Sequence, residues 1–278
     1  MMFKRKDTYR NQKLLAYFAL LLIIVVANSC ANLSHVKTLR EVQDQFNSAT
    51  VLENQLKADP LSADATILLR GHSNASYRLV LEDVTKLIDD KRQDLQTDNL
   101  LGIAYTLKAL TEWRLRDYDA AVKTTNTVIN QDIQLFPRDR AVIKALRGLI
   151  KNDQAFSHMM QKDHKFKDLK TLLAESAEDI NQGISEVPEG NNVRTYLAMA
   201  KLAVLKNWLD LFNKPNEFAV AVPSDLNKAN EQSEWCDVAQ PTWQIFVQEM
   251  DRLSTPEAAA AKKWWGDRLA LPYACEAR

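Results

Sequence analysis

From His35 to the C-terminus the apolar residues recur at spacings of three and four, the period of an α-helix. In the first segment Leu39, Val42, Phe46, Ala49, Leu52 and Leu56 fall on one stripe, with Arg40, Glu41, Asp44 and Glu53 elsewhere on the circumference. The pattern predicts an amphipathic helix that ends near Asp59-Pro60, because proline disfavours a helical conformation in the residue before it. A second run, from about 62 to 90, predicts another helix, interrupted by the weak helix formers Gly71-His72-Ser73-Asn74. Later stretches predict helices near 138–162, 168–185, 192–212, 224–235, 242–253 and 256–270. The turn clusters Val187 to Asn192, Asn213 to Asn216 and Val220 to Ser224 separate them. Thr255-Pro256-Glu257 supplies a capping hydroxyl and a first-turn proline for the last helix. With only 6 glycines and 8 prolines in 278 residues, the tight turns of an all-β fold are not provided for.

The most organised stretch is 98–132. Asp98 is placed to cap a helix carrying Leu101, Ala104, Tyr105, Lys108, Ala109 and Trp113, and Arg116-Asp117 reads as the turn into a second helix. Pro137 then suits the first turn of the next. The string Arg114 to Val122 resembles the centre of a tetratricopeptide repeat, with Arg116 where that family often has glycine, Tyr118 at the aromatic position and Ala121 at the small one. The half-motif covers about 20 residues and has no second copy at the ~34-residue period of that family. The resemblance implies an all-α fold of stacked helical hairpins, a TPR-like α-solenoid; an irregular α-helical bundle is the alternative.

The N-terminus has a different character. Lys4, Arg5, Lys6, Arg10 and Lys13 precede an apolar run from Leu14 to Ala27, and Asn28-Ser29-Cys30-Ala31 follows. As a helix the run would span roughly 21 Å, short of the ~30 Å hydrocarbon core. This segment resembles a bacterial lipoprotein signal peptide, in which a small-residue triplet precedes the cysteine that receives lipid. It departs from the usual pattern at Ala27 and Asn28, and the alternatives are ordinary signal cleavage and an uncleaved anchor. The resemblance implies lipidation of Cys30, with palmitate among the acyl chains, and a place in the cell envelope. Ala31, where aspartate would retain an inner-membrane lipoprotein, resembles the sorting pattern for the outer membrane, facing the periplasm.

The expected organisation is therefore a signal peptide at 1–29, an anchor-proximal segment and first helix at 30–60, a TPR-like domain at 61–214 and a Trp-rich helical cap at 215–278. The whole chain has 36 basic and 36 acidic residues, and losing 1–29 removes five and one, leaving 31 and 35. That mildly acidic balance disfavours nucleic acid as a partner. With Cys30 acylated, Cys236 and Cys275 remain, and a bridge between them would close a loop of about 40 residues.

Recognisable catalytic chemistry is absent from the sequence: no Gly-x-Ser-x-Gly, no His-Glu-x-x-His, no phosphate loop and no dinucleotide fingerprint. His158 and His164, six residues apart, would point to different faces of a continuous helix and could share a metal only across a break. Glu175, Glu178 and Asp179 read as a solvated acidic stripe, as does the pair Asp89-Asp90. Trp264 and Trp265 would point about 100° apart on a helix. The expectation is a membrane-anchored, non-enzymatic scaffold without cofactor or metal, which binds a protein or peptide through Tyr105, Lys108, Glu112 and Trp113. The alternative is a small-molecule-binding accessory of a solute uptake system, since some helical-repeat lipoproteins that serve transport resemble this layout. Metabolic labelling with a fatty acid is expected to mark the protein, and Cys30→Ala to lose both label and membrane retention; undiminished labelling of the variant would refute the lipid reading.

Overall fold

A computed structural model of the chain describes residues 34–58, 63–131, 133–161, 164–214, 217–218, 220, 223–269 and 275. The expected signal segment at 1–29, with Cys30 and Ala31, lies outside the described residues. Among those described, all regular structure is helical and no strand occurs. The chain divides between Leu135 and Phe136 into two compact units, a boundary inside the stretch 61–214 that the sequence reading held as one domain.

The first unit contains α1 (Ser34–Ala58), α2 (Ala63–Thr97), α3 (Leu101–Arg114) and α4 (Tyr118–Asn130). Each packs on its sequence neighbour, and α1 also touches α3. The predicted stripe of α1 is buried at Leu39, Val42, Phe46 and Ala49. Helix α2 passes through Gly71 to Asn74 without a break, because Ser73 is buried against α1, with its hydroxyl 3.3 Å from the Ala49 carbonyl, and Tyr77 packs on Phe46. Tertiary packing thus overrides weak local propensity. The interruption falls instead at Lys91, where φ is −127° and ψ is 22°.

The turns into α3 and α4 share one design. At the end of α2 the Leu100 amide bonds the Leu95 carbonyl and Asn99 adopts φ 59°; at the end of α3 the Asp117 amide bonds the Glu112 carbonyl and Arg116 adopts φ 63°. Both are left-handed caps that satisfy the terminal carbonyls of the helix. Arg116 therefore occupies a conformation that glycine would take more easily. Asp117 then caps α4 by accepting from the Ala120 amide. Asp98 does not cap α3, contrary to expectation: its carboxylate is 2.6 Å from His35 Nε2 on α1, and α3 starts without a side-chain cap.

The second unit contains α5 (Pro137–Met159), α6 (Phe166–Glu186), α7 (Asn192–Asn213), α8 (Lys228–Leu253) and α9 (Pro256–Leu269). Helix α8 replaces the two helices expected at 224–235 and 242–253. Pro241 lies inside it but on the exposed face, where water can serve the ladder bond that proline cannot make. The opposite face buries Trp235, Cys236, Ala239, Thr242 and Phe246, which holds both halves on one axis. The Trp235 indole donates to the Leu205 carbonyl of α7 at 2.9 Å. Cys236 and Cys275 form a buried disulfide with their Cα atoms 5.7 Å apart.

Helices α5 and α6 approach most closely. A Cβ on Gly148 would lie 2.7 Å from the Ser176 carbonyl oxygen and from Ile180, and one on Gly183 would lie 2.8 Å from the Ala141 carbonyl oxygen. The Ser176 hydroxyl uses the proximity to donate to the Gly148 carbonyl at 2.6 Å. Gly148→Ala gains up to ~1 kcal/mol of helix propensity but must displace backbone, so we expect a net loss of about 1–3 kcal/mol in urea unfolding. Gly71, with nothing within 4 Å of its Cβ position, is the contrasting site. There alanine should stabilise by roughly 0.5–1 kcal/mol, and equal signs at the two sites would refute the close-packing account.

Candidate functional site

The four predicted contact residues all lie on α3, but the helix presents them differently. Tyr105 and Lys108 are half-buried, with the Tyr105 hydroxyl accepting from Arg92 of α2 at 2.6 Å. Trp113 is half-buried, and the Arg114 guanidinium lies 5.4 Å from its ring centre. Glu112 is a correction: it is buried inside the α3–α4 hairpin and not presented to a partner. Thr124 hydrogen-bonds its carboxylate, Oε2 has no partner, and burial raises its pKa above the ordinary value. The accessible part of the predicted patch is thus Tyr105, Lys108 and the edge of Trp113.

Behind this face lies a buried polar centre that the sequence reading did not find. The Tyr77 hydroxyl donates to Glu53 at 3.0 Å and contacts Thr50 at 3.1 Å, while Arg114 reaches Glu53 at 3.5 Å. Burial holds the Tyr77 phenol above its usual range, with the neighbouring Glu53 charge adding to the rise and Arg114 opposing it. Three helices are tied together here through side chains from α1, α2 and α3. An open depression lies farther along α2, lined by Arg78, Glu82, Lys86, Asp89 and Asp90 among others. Asp89 and Asp90, read from sequence as solvated, are exposed at its rim.

The second unit corrects the acidic-stripe expectation. Glu178 is exposed, but Asp179 is buried, held by Arg147, whose Nε donates to it at 2.9 Å, and by Lys151 at 3.0 Å. Lys151 also reaches Glu175 at 2.9 Å. A second buried carboxylate, Glu249 of α8, accepts from Thr195 at 3.0 Å and pairs with Arg194 and Arg252. Both carboxylates are held by cations and align helices, although the buried Arg194 Nε, 3.3 Å from Glu249, makes no hydrogen bond. His158 and His164 do meet, across the end of α5, with rings stacked 4.0 Å apart. No group of three or more His, Cys, Asp and Glu residues with metal-binding geometry occurs among the described residues.

Trp264 and Trp265 are arranged edge to face, 4.7 Å between centres, with Trp265 buried and Trp264 half-buried beneath Arg268. None of the described helices is long and apolar enough to cross a membrane. Comparison with protein-family models, with curated proteins and with solved structures finds no match.

Lys201 is a further residue that sequence reasoning missed. It is buried in α7 on the stripe Leu197, Lys201, Leu205 and Trp208, where the apolar period itself could have flagged it. Its ammonium donates to Asn181 at 3.0 Å and has no carboxylate bonded to it, so burial lowers its pKa to about 8, with Glu178 opposing the shift. Below that value both folded and unfolded chains hold the proton and the full cost of the buried charge is present. Between about 8 and the ordinary 10.5 only the unfolded chain holds it, so stability rises with pH over that window. Lys201→Met is expected to stabilise the protein at pH 7 by on the order of 1–3 kcal/mol and to flatten the alkaline rise. Urea titrations from pH 7 to 10 check this, and an unchanged rise in the variant would refute it.

Proposed function

We propose that this chain is a lipid-anchored, non-catalytic helical scaffold of the cell envelope that binds a protein or peptide partner along stacked, TPR-like helical hairpins. The anchor is the lipid on Cys30, and the outer membrane, periplasmic side, is the compartment that Ala31 favours. The observation that carries the scaffold reading is the packing order. Consecutive helices pair as hairpins and alternate helices also touch, α1 with α3 in the first unit and α5 with α7 and α7 with α9 in the second. Hairpin stacks of this kind align their first helices on one side, where an extended partner can lie.

Two further features favour a chain-like partner over an enclosed small molecule. The depression on α2 is open, and the half-buried Tyr105, Lys108 and Trp113 offer an aromatic and a cationic handle on one short helix. The buried carboxylates Asp179 and Glu249 are paired with cations of their unit, a structural use that accounts for their burial. A photo-reactive residue at position 108 or 113, in cells expressing the full chain, is expected to yield one discrete adduct. The same residue at exposed Asn74 is expected to yield none. Equal adduct patterns from all three positions would overturn the assignment of the α3 face.

A further inference from the structure

Three residues, Ala31 to Leu33, separate Cys30 from Ser34, the first residue of α1. A chain spans at most ~3.6 Å per residue, so the Cα of Cys30 lies within about 14 Å of that of Ser34. A lipid on Cys30 therefore fixes more than location; it fixes which end of the first unit meets the bilayer.

The fold says what else is at that end. His35 of α1 is buried and reaches Asp98 at 2.6 Å, which brings the α2–α3 turn, Thr97 to Leu100, to the level of the α1 N-terminus. A Cβ on Gly102, at the start of α3, would meet Leu135 and the Gln134 carbonyl, so the segment leaving α4 returns to the same end. Arg92, less than two turns before Thr97, bonds Tyr105 at 2.6 Å and Gln131, just past α4, at 3.4 Å. The opposite end carries the left-handed turn at Arg116 and the exposed residues Gly71, His72 and Asn74 of α2.

We infer that the end of the first unit formed by the α1 N-terminus, the α2–α3 turn and residues 133–135 rests against the phospholipid headgroup layer, with the Arg116 turn and Asn74 directed away from it. The inference rests on the lipoprotein reading of Cys30. The tether produces this contact, not charge. Lys37 pairs with Glu41 at 3.6 Å and Lys91 with Asp94 at 3.4 Å, so both lysines are matched by a carboxylate beside them and attract anionic lipid only weakly. A short tether instead holds the surface at high effective concentration near the bilayer. The His35–Asp98 contact is the joint that transmits the position of α1 to the rest of the unit.

The test uses the full chain in vesicles of phosphatidylethanolamine and phosphatidylglycerol that carry a nitroxide on the headgroup. A fluorophore is attached through Gln96→Cys or through Asn74→Cys, both exposed positions on α2; the uninterrupted helix from 74 to the break at Lys91 alone rises about 24 Å. Mass analysis first establishes whether Cys30 carries lipid. With lipid present, quenching at position 96 is expected to exceed that at position 74 several-fold and to persist in high salt. Lipid with equal or reversed quenching overturns the orientation and leaves the anchor standing. A contrast that disappears in high salt replaces the tether with charge attraction and also overturns it. Absence of lipid on Cys30 overturns the anchor and the orientation together.

Discussion

Every described helix has an apolar face that must be covered, and within each unit the cover is supplied first by a sequence neighbour. The constraint is strictest between α5 and α6, where the absence of side chains at Gly148 and Gly183 lets one helix approach the backbone of the other. Contact this close fixes the register as well as the distance. Ala141 faces Gly183, Gly148 faces Ser176, Arg147 faces Asp179 and Lys144 faces Glu186, a single antiparallel alignment read by apolar, backbone and charged groups alike. A slip of one helical turn would break all four at once. Agreement among independent contacts separates one native packing from its competitors.

Helices buried around most of their circumference have no free side for polar residues. Helix α7 is the clearest case: it packs on α6 and α8 and also touches α5 and α9. Its polar groups must therefore find partners inside the unit. Asn207 donates to Asn152 at 2.9 Å, and Thr195 and Arg194 turn to Glu249. Lys201 finds only the amide of Asn181, and its depressed pKa is the electrostatic record of that shortfall. Asp179 shows the contrast, since Arg147 and Lys151 together supply the charge that burial would otherwise leave unopposed. Removing one partner from such a site typically costs about 3–5 kcal/mol, while replacing the whole cluster with apolar groups is often neutral. The network's main effect is to specify the alignment.

The helical class was readable from the period of the apolar residues because that period reports local geometry. The hairpin around Arg116-Asp117 was readable for the same reason, since a helix end and a cap leave signatures within a few residues. Gly71 to Asn74 misled because their weak local preference is opposed by the contacts of Ser73 and Tyr77 with α1. The expected split into helices at 224–235 and 242–253 misled because Trp235 and Phe246 bury on one face of a single helix. Those packing contacts join residues that sequence spacing does not connect. Glu112 and Asp179 misled in a related way. Carboxylates on a helix are usually solvated, and only knowledge of which helix lies opposite shows that Thr124 and Arg147 await them. Lys201 was within reach, because a lysine on an otherwise apolar stripe is an anomaly of pattern.

The C-terminal helix poses a different physical problem. At 14 residues α9 is near the length at which an isolated helix is marginal in water, so its stability must come from what it packs on. It offers Ala258, Ala261, Trp265 and Leu269, an apolar face narrowed by two alanines. The bond from Cys236 to Cys275 compensates by joining α8 to a residue beyond α9. By the chain-entropy estimate a loop of this length restricts the unfolded chain by roughly 4 kcal/mol, which exceeds the roughly 1.5–3 kcal/mol of burying one large apolar side chain. Such a bond persists only where thiols are not kept reduced. The stability of the last helix and the export reading of the first thirty residues therefore make the same demand on the protein's environment, from opposite ends of the chain and on unrelated physical grounds.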